Sequence, residues 1–123
     1  MKKTFLILAA FLGLLGVIAG ALGAHALKNV MDVEALSAYK TAVLYQMLHV
    51  LVVLLLPALS LSEAWRNRSA SLFLFGMVLF PGSIYLFTVI GFEPGLWGLV
   101  APSGGLLMMG GWLAIAWGLF KSN

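Results

Sequence analysis

Four stretches without a single Asp, Glu, Lys or Arg constrain this chain more than anything else in it: Thr4–Ala24, Thr41–Leu61, Ala70–Ile90 and Leu96–Phe120. A bilayer core about 30 Å thick is crossed by about 20 apolar residues of helix, and each stretch is that long. Helix is also the form that satisfies every backbone N–H and C=O within its own segment. The expectation is an all-α integral membrane protein, an up-down four-helix bundle forming one domain over residues 1–123. Composition agrees, since only 9% of residues are charged and 63% are hydrophobic, whereas a soluble domain carries about 25% charge. The chain has no cysteine, which removes disulfides, thiolate metal sites and Cys nucleophiles together.

A net charge of +3 does not point to nucleic acid, because the basic residues sit scattered at segment ends rather than in a stripe. They orient the chain instead. Four crossings put both termini and the 62–69 connector on one side, with Lys2, Lys3, Arg66, Arg68 and Lys121. The other side holds Lys28 and Lys40 beside Asp32, Glu34 and Glu93. The more basic side is expected to be cytoplasmic, so both termini face the cytoplasm. Trp97 and Trp117 stand near opposite ends of the last crossing and read as its two aromatic belts.

The first crossing has a basic start and an Ala24-His25-Ala26 pattern, as a cleaved signal peptide would. Its apolar run is longer than the 7–15 residues of a signal-peptide core, so it is expected to stay as a crossing. Gly13, Gly16 and Gly20, with Ala24, form a small-residue ridge suited to close helix packing. After it, DVEALSAYK places Asp32 as an N-cap and Glu34 in a first turn. This predicts a short amphipathic outer helix over 32–40, or an outward extension of the second crossing.

Polar and helix-breaking groups gather at one depth. Counting about 1.5 Å per helical residue from the outer boundary, Gln46 lies roughly 9 Å in and His49 roughly 13 Å. Ser83 and Tyr85 of the third crossing and Pro102 and Ser103 of the fourth lie at similar depths, and His25 ends the first crossing on that side. Tyr45, Gln46 and His49 are helical neighbours at i, i+3 and i+4 spacings. Pro81-Gly82 and Pro102 with Gly104-Gly105 are expected to interrupt the last two helices there. A membrane-embedded proline frees a carbonyl that neighbours must re-satisfy, and Gln46 and His49 are suitable donors. The six residues His25, Tyr45, Gln46, His49, Ser83 and Tyr85 are therefore candidates for a shared polar cluster facing the bundle interior. Intramembrane hydrogen bonds average about 0.6 kcal/mol, so such a cluster serves either as interhelical glue or as a pocket open to the outer face.

Several chemistries fall away. His25 and His49 lie on different helices at different depths without a carboxylate between them, so no metal or haem is expected. Ser83 or Ser103 could meet His49, but Asp32 and Glu34 are at the surface, so no Ser–His–Asp set forms. No intramembrane carboxylate or lysine is present for a proton relay. Neither catalysis nor a cofactor is expected.

The motif set resembles a known family. Gly23-Ala-His-Ala-Leu-Lys28, Thr41-Ala with Tyr45-Gln46 and His49, Leu79-Phe80 with Gly82-Ser83 and Tyr85, and Pro102 with Gly104-Gly105 and Trp112 are similar to the YgdD/YwdK-like small inner-membrane proteins of bacteria. That is a family of unknown function with small eukaryotic relatives, and the resemblance spans nearly the whole chain. It implies a four-helix inner-membrane protein and no established activity. Where the family pattern reads LFSGSLY, this chain has Pro81 in place of the first serine. Where it reads Pro-x-Gly-Gly with an apolar x, this chain has Ser103, which takes Ser103 out of the shared set.

The leading expectation is a non-enzymatic membrane protein acting through contacts with lipid, with another membrane protein or with copies of itself. The alternative is a binding or permeation unit whose outer-leaflet pocket takes a small solute or a small amphiphile such as a quinone or a lipid headgroup. Nucleic acid is not expected as a partner.

Overall fold

The computed structural model describes residues 1–91 and 95–122. Four α-helices carry the fold: α1 (Lys3–Ala24), α2 (Val33–Leu55), α3 (Glu63–Val89) and α4 (Val100–Lys121). Short 3-10 turns at Leu56–Ala58 and Gly95–Leu99 flank α2 and α4. No strand occurs among the described residues, and all four helices are long and apolar enough to cross a membrane. Glu93 and the Trp97 side chain, used above for orientation, lie outside what is described.

α2 and α3 begin where polar caps allow rather than where hydrocarbon begins. Asp32 accepts from the Ala35 amide at 2.7 Å, and Glu34 follows in the first turn. The helix that starts there runs on without a break, so residues 32–40 are not a separate amphipathic helix but the first turns of α2. Ser62 caps α3 by accepting from the Trp65 amide at 3.5 Å, with Glu63 in its first turn. The 62–69 segment, polar enough to read as a connector, is therefore the first two turns of α3. At the other end of α2, Pro57 sits in the 3-10 turn, where its missing N–H removes a rung of the α-helical ladder.

The expected interruptions are absent. α3 passes through Pro81 and Gly82 unbroken, and α4 contains Pro102, Gly104 and Gly105. Pro102 is the third residue of α4, within the turn whose N–H groups have no helical partner in any case. Pro81 forgoes one hydrogen bond, while its ring is completely buried and the turns on either side stay packed.

Close packing follows the glycines. Along α4, Gly104, Met108, Gly111, Ile115 and Gly118 are buried at alternating spacings of four and three, a heptad seam. Opposite them stand the Leu79–Phe80 backbone, Gly76, the Phe73 ring, and Leu61 with Trp65. α3 and α4 form the most extensive helix pair. On α1, a Cβ at Gly13 would stand 3.2 Å from Val50, and one at Gly20 would stand 3.5 Å from Val43. Gly16 meets Met47 and Gln46, and Gly23 meets the Tyr39 ring.

α1, α2 and α3 pack together, and among the helices α4 brings its backbone close to that of α3 alone. The backbones of α2 and α4 stay apart, as do those of α1 and α4. A core of Ala9, Val53, Leu56, Ala70 and Phe73, each fully buried, fills the end of the molecule nearest the Leu56–Ala58 turn. Outside it the surface is apolar on every helix: Phe11, Leu51, Phe75 and Leu113 are all more than half exposed. A continuous apolar surface of this kind matches hydrocarbon rather than water.

Candidate functional site

α2 buries one stripe, Tyr39, Ala42, Gln46, His49, Val50 and Val53, in which Tyr39, Gln46 and His49 carry the polar groups. Gln46 and His49 are three residues apart, so they diverge by about 60° around the helix. That angle divides them between two neighbours.

Gln46 faces α1 and α3. Its Nε2 donates to the Leu12 carbonyl at 2.6 Å, and its Oε1 accepts from the Tyr85 hydroxyl at 2.6 Å. Gly16 makes this approach feasible, because a Cβ there would stand 3.3 Å from the Gln46 amide nitrogen. One level further along, the Tyr39 hydroxyl donates to the Ala19 carbonyl at 2.5 Å. The Tyr39 and Tyr85 rings pack with centroids 5.3 Å apart. Three helices are thus tied by hydrogen bonds whose every polar atom belongs to this chain.

His49 faces α4. Its Nδ1 lies 2.7 Å from the Tyr45 carbonyl, and the Trp112 Nε1–H donates to its Nε2 at 3.1 Å. A carbonyl only accepts, so Nδ1 carries the proton and Nε2 presents its lone pair, the neutral tautomer. The Phe73 and Trp112 rings pack around the imidazole, with centroids 5.4 Å and 6.0 Å from its own. This pair is the hydrogen-bonded bridge between α2 and α4, whose backbones do not meet. Trp112→Phe is expected to lower stability by about 1 kcal/mol, as read by thermal unfolding in mild detergent. Trp117→Phe, at a half-exposed ring, should stay within about 0.5 kcal/mol. Equal losses would mean that the bridge carries no energy.

The single shared cluster expected from depth is therefore two clusters on different sides of α2. Tyr45, Gln46, His49 and Tyr85 contribute to one or the other. His25 does not: it caps the C-terminus of α1 and is exposed to the outside. Ser83 is buried but donates to the Phe80 carbonyl of its own helix at 2.9 Å. Ser103 likewise donates to the Val100 carbonyl at 2.6 Å. Gln46 and His49 do not repair the backbone around Pro81 or Pro102; their donors go to Leu12 and Tyr45. Two members were not foreseen as site residues. The sequence puts Tyr39 on a short outer helix or on an outward extension of the second crossing, and the structure shows the extension, in which Tyr39, seven residues before Gln46, shares its face. Trp112 was noted only as part of a motif.

Each cluster borders a lateral groove. One of about 600 Å³ lies between α2 and α4, lined by Tyr45, His49, Phe80, Pro102, Met109 and Trp112 among others. The second, about 410 Å³, lies between α1 and α3 and includes Tyr39, Gln46 and Tyr85 in its wall. Among the described residues no three His, Cys, Asp or Glu side chains gather where they could hold a metal. Neither groove has a charged residue in its lining. Such an arrangement can hold helices at a fixed rotation and accept hydrocarbon or a ring at its edge.

Residues 19–105 match the family model described as "Protein of unknown function (DUF423)". A UPF0382 membrane protein of Haemophilus influenzae is 37% identical, covering 100% of this chain and 98% of its own. A UPF0382 membrane protein of Staphylococcus saprophyticus is 36% identical, covering 97% of this chain and 98% of its own. The UPF0382 inner membrane protein YgdD of Escherichia coli K12 is 33% identical, covering 98% and 92%. No solved structure matches the chain.

Proposed function

Since the chain belongs to the DUF423 family of membrane proteins, we propose that it is a non-enzymatic inner-membrane protein acting through lateral contacts of its helices with lipid or with other membrane helices. One observation carries this reading: the interior hydrogen-bonding side chains of α2 are used up within the chain. Gln46 serves Leu12 and Tyr85, Tyr39 serves Ala19, and His49 serves Tyr45 and Trp112. A catalytic or transport site needs polar atoms directed at its substrate. The exposed faces, by contrast, are apolar along every helix.

The same reading includes an up-down arrangement with both termini cytoplasmic. Gly13, Gly16, Gly20 and Gly23 face Val50, Met47, Val43 and Tyr39 in reverse order along α2, as antiparallel helices do. The Met1 amine lies 3.8 Å from the Glu63 carboxylate, and the Lys2 amide donates to Asn67 at 3.0 Å. Gly118 stands against Leu61 and Trp65. These contacts support placing the N-terminus, the start of α3 and the end of α4 together, with Lys2, Lys3, Arg66, Arg68 and Lys121, on the positive and hence cytoplasmic side.

A second reading is favoured by the groove between α2 and α4. The Tyr45 hydroxyl at its edge has no hydrogen-bond partner among the described residues, and a small amphiphile could place a polar group there. Native mass spectrometry with an absorbance spectrum, on the full-length protein and on folded His49→Ala, separates the two. The expected result is no stoichiometric non-lipid ligand and the same spectrum for both. A small molecule retained by the wild type and lost from the folded variant would replace the first reading with the second.

A further inference from the structure

At the end of the molecule where the N-terminus meets α3, the separation of α1 from α4 leaves a cleft over α3. It has a volume of about 450 Å³ and is lined by Lys2, Phe5, Trp65, Asn67, Arg68, Ser71, Leu72 and Ala114. Its wall divides by chemistry. Lys2 and Arg68 supply cationic groups, whereas Phe5, Leu72 and Ala114 are apolar and come from three different helices; the Ser71 hydroxyl and the Asn67 Oδ1 between them are taken up by the Asn67 carbonyl and the Lys2 amide.

The charges there are unbalanced. Among the described residues the side-chain carboxylates are Asp32, Glu34 and Glu63, and none of them lines the cleft. Glu63, at the start of α3, lies beside the Met1 amine at 3.8 Å. The cations are also positioned. The Arg68 guanidinium lies 4.8 Å from the centre of the Trp65 ring, a cation–π contact. The Lys2 backbone amide donates to the Asn67 Oδ1 at 3.0 Å, which fixes Lys2 beside α3 in the wall of the cleft.

We propose that this cleft is a binding site for an anionic phospholipid, its phosphate held by Lys2 and Arg68 and one acyl chain lying against Phe5, Leu72 and Ala114. Basic pockets between membrane helices on the cytoplasmic side suit acidic headgroups in this way. A zwitterionic lipid brings its own cation to the same place and gains less. The proposal rests on the reading that the protein acts through lateral lipid contacts, and it names which lipid and where.

The test is native mass spectrometry of the full-length protein in mild detergent with phosphatidylglycerol or phosphatidylcholine added. The double variant Lys2→Gln/Arg68→Gln is compared with Lys3→Gln/Lys121→Gln, which removes the same charge from the same end but outside the cleft. Each basic group near a membrane surface contributes about 1 kcal/mol toward an acidic lipid, so the cleft variant should hold phosphatidylglycerol about thirtyfold more weakly than the wild type. The control should keep most of its affinity, and phosphatidylcholine should bind all forms equally. Equal retention of the two lipids, or equal losses in both double variants, would overturn the site. Displacement of the lipid by inorganic phosphate alone would show an anion site rather than a lipid site, and would also overturn it. None of these outcomes touches the broader reading, which fails only on a non-lipid ligand that depends on His49.

Discussion

Gly104→Ala is expected to destabilise the protein by about 3 kcal/mol, while Gly105→Ala, one residue on, should be neutral or gain up to about 1 kcal/mol. The added atom is the same in each; the surroundings differ. A Cβ at Gly104 would run into the Phe80 amide nitrogen and stand 2.8 Å from the Leu79 carbonyl carbon. Those are backbone atoms inside α3, so no rotamer change relieves the clash. The seam must open, and Gly76 and Met108 next to it lose their fit. A Cβ at Gly105 would have Phe80 Cδ2 at 4.0 Å, an ordinary contact, and would gain the helical preference of alanine. Thermal unfolding followed by circular dichroism in mild detergent reads both. Equal melting temperatures would mean that α3 and α4 do not approach as closely as the seam requires.

This seam shows where the sequence is informative and where it is not. Hydropathy locates the crossings because lipid burial depends on composition, and α1 follows its uncharged stretch almost to the residue. Hydropathy does not mark helix ends, since a helix continues into water wherever caps and turns support it. Ser62 and Asp32 extend α3 and α2 in that way. Prolines mislead for a related reason: Pro81 loses one hydrogen bond, but the packing of its neighbours keeps α3 whole, and at Pro102 there is no bond to lose. The heptad Gly104, Gly111, Gly118 is visible once α4 is known to pack on α3. Read alone, Gly105 and Gly110 compete with it, and nothing local says which face turns inward. The polar residues present the same difficulty. Depth correctly puts Gln46 at the level of Tyr85. It cannot say that Gln46 and His49 diverge around α2, because helix rotation is fixed by the neighbours Gly16 and Trp112.

Gln46→Leu is expected to cost about 2–3 kcal/mol, and the reason bears on function. The substitution removes the tie from α2 to the Leu12 carbonyl and leaves the Tyr85 hydroxyl without its acceptor. The carbonyl is the cheaper loss, because it lies inside α1 and also serves the helical ladder. The hydroxyl is the dearer one, since an unpaired buried donor costs about 1–3 kcal/mol. Tyr85→Phe alone leaves the Gln46 Oε1 short of a donor and should cost about 1 kcal/mol. In the double variant Gln46→Leu/Tyr85→Phe neither group remains to be orphaned. Its loss should therefore fall short of the sum by about 1.5 kcal/mol, near the upper end measured for polar pairs in membranes. Unfolding of the four proteins in detergent gives the coupling directly. A coupling near zero would mean that the two side chains do not hold each other, and the Gln46 amide would then be free to meet a ligand in the groove between α1 and α3. A coupling of the expected size places the most polar atoms of the interior in service of the helices themselves, and leaves the outer surface as the part of the molecule that can act on anything else.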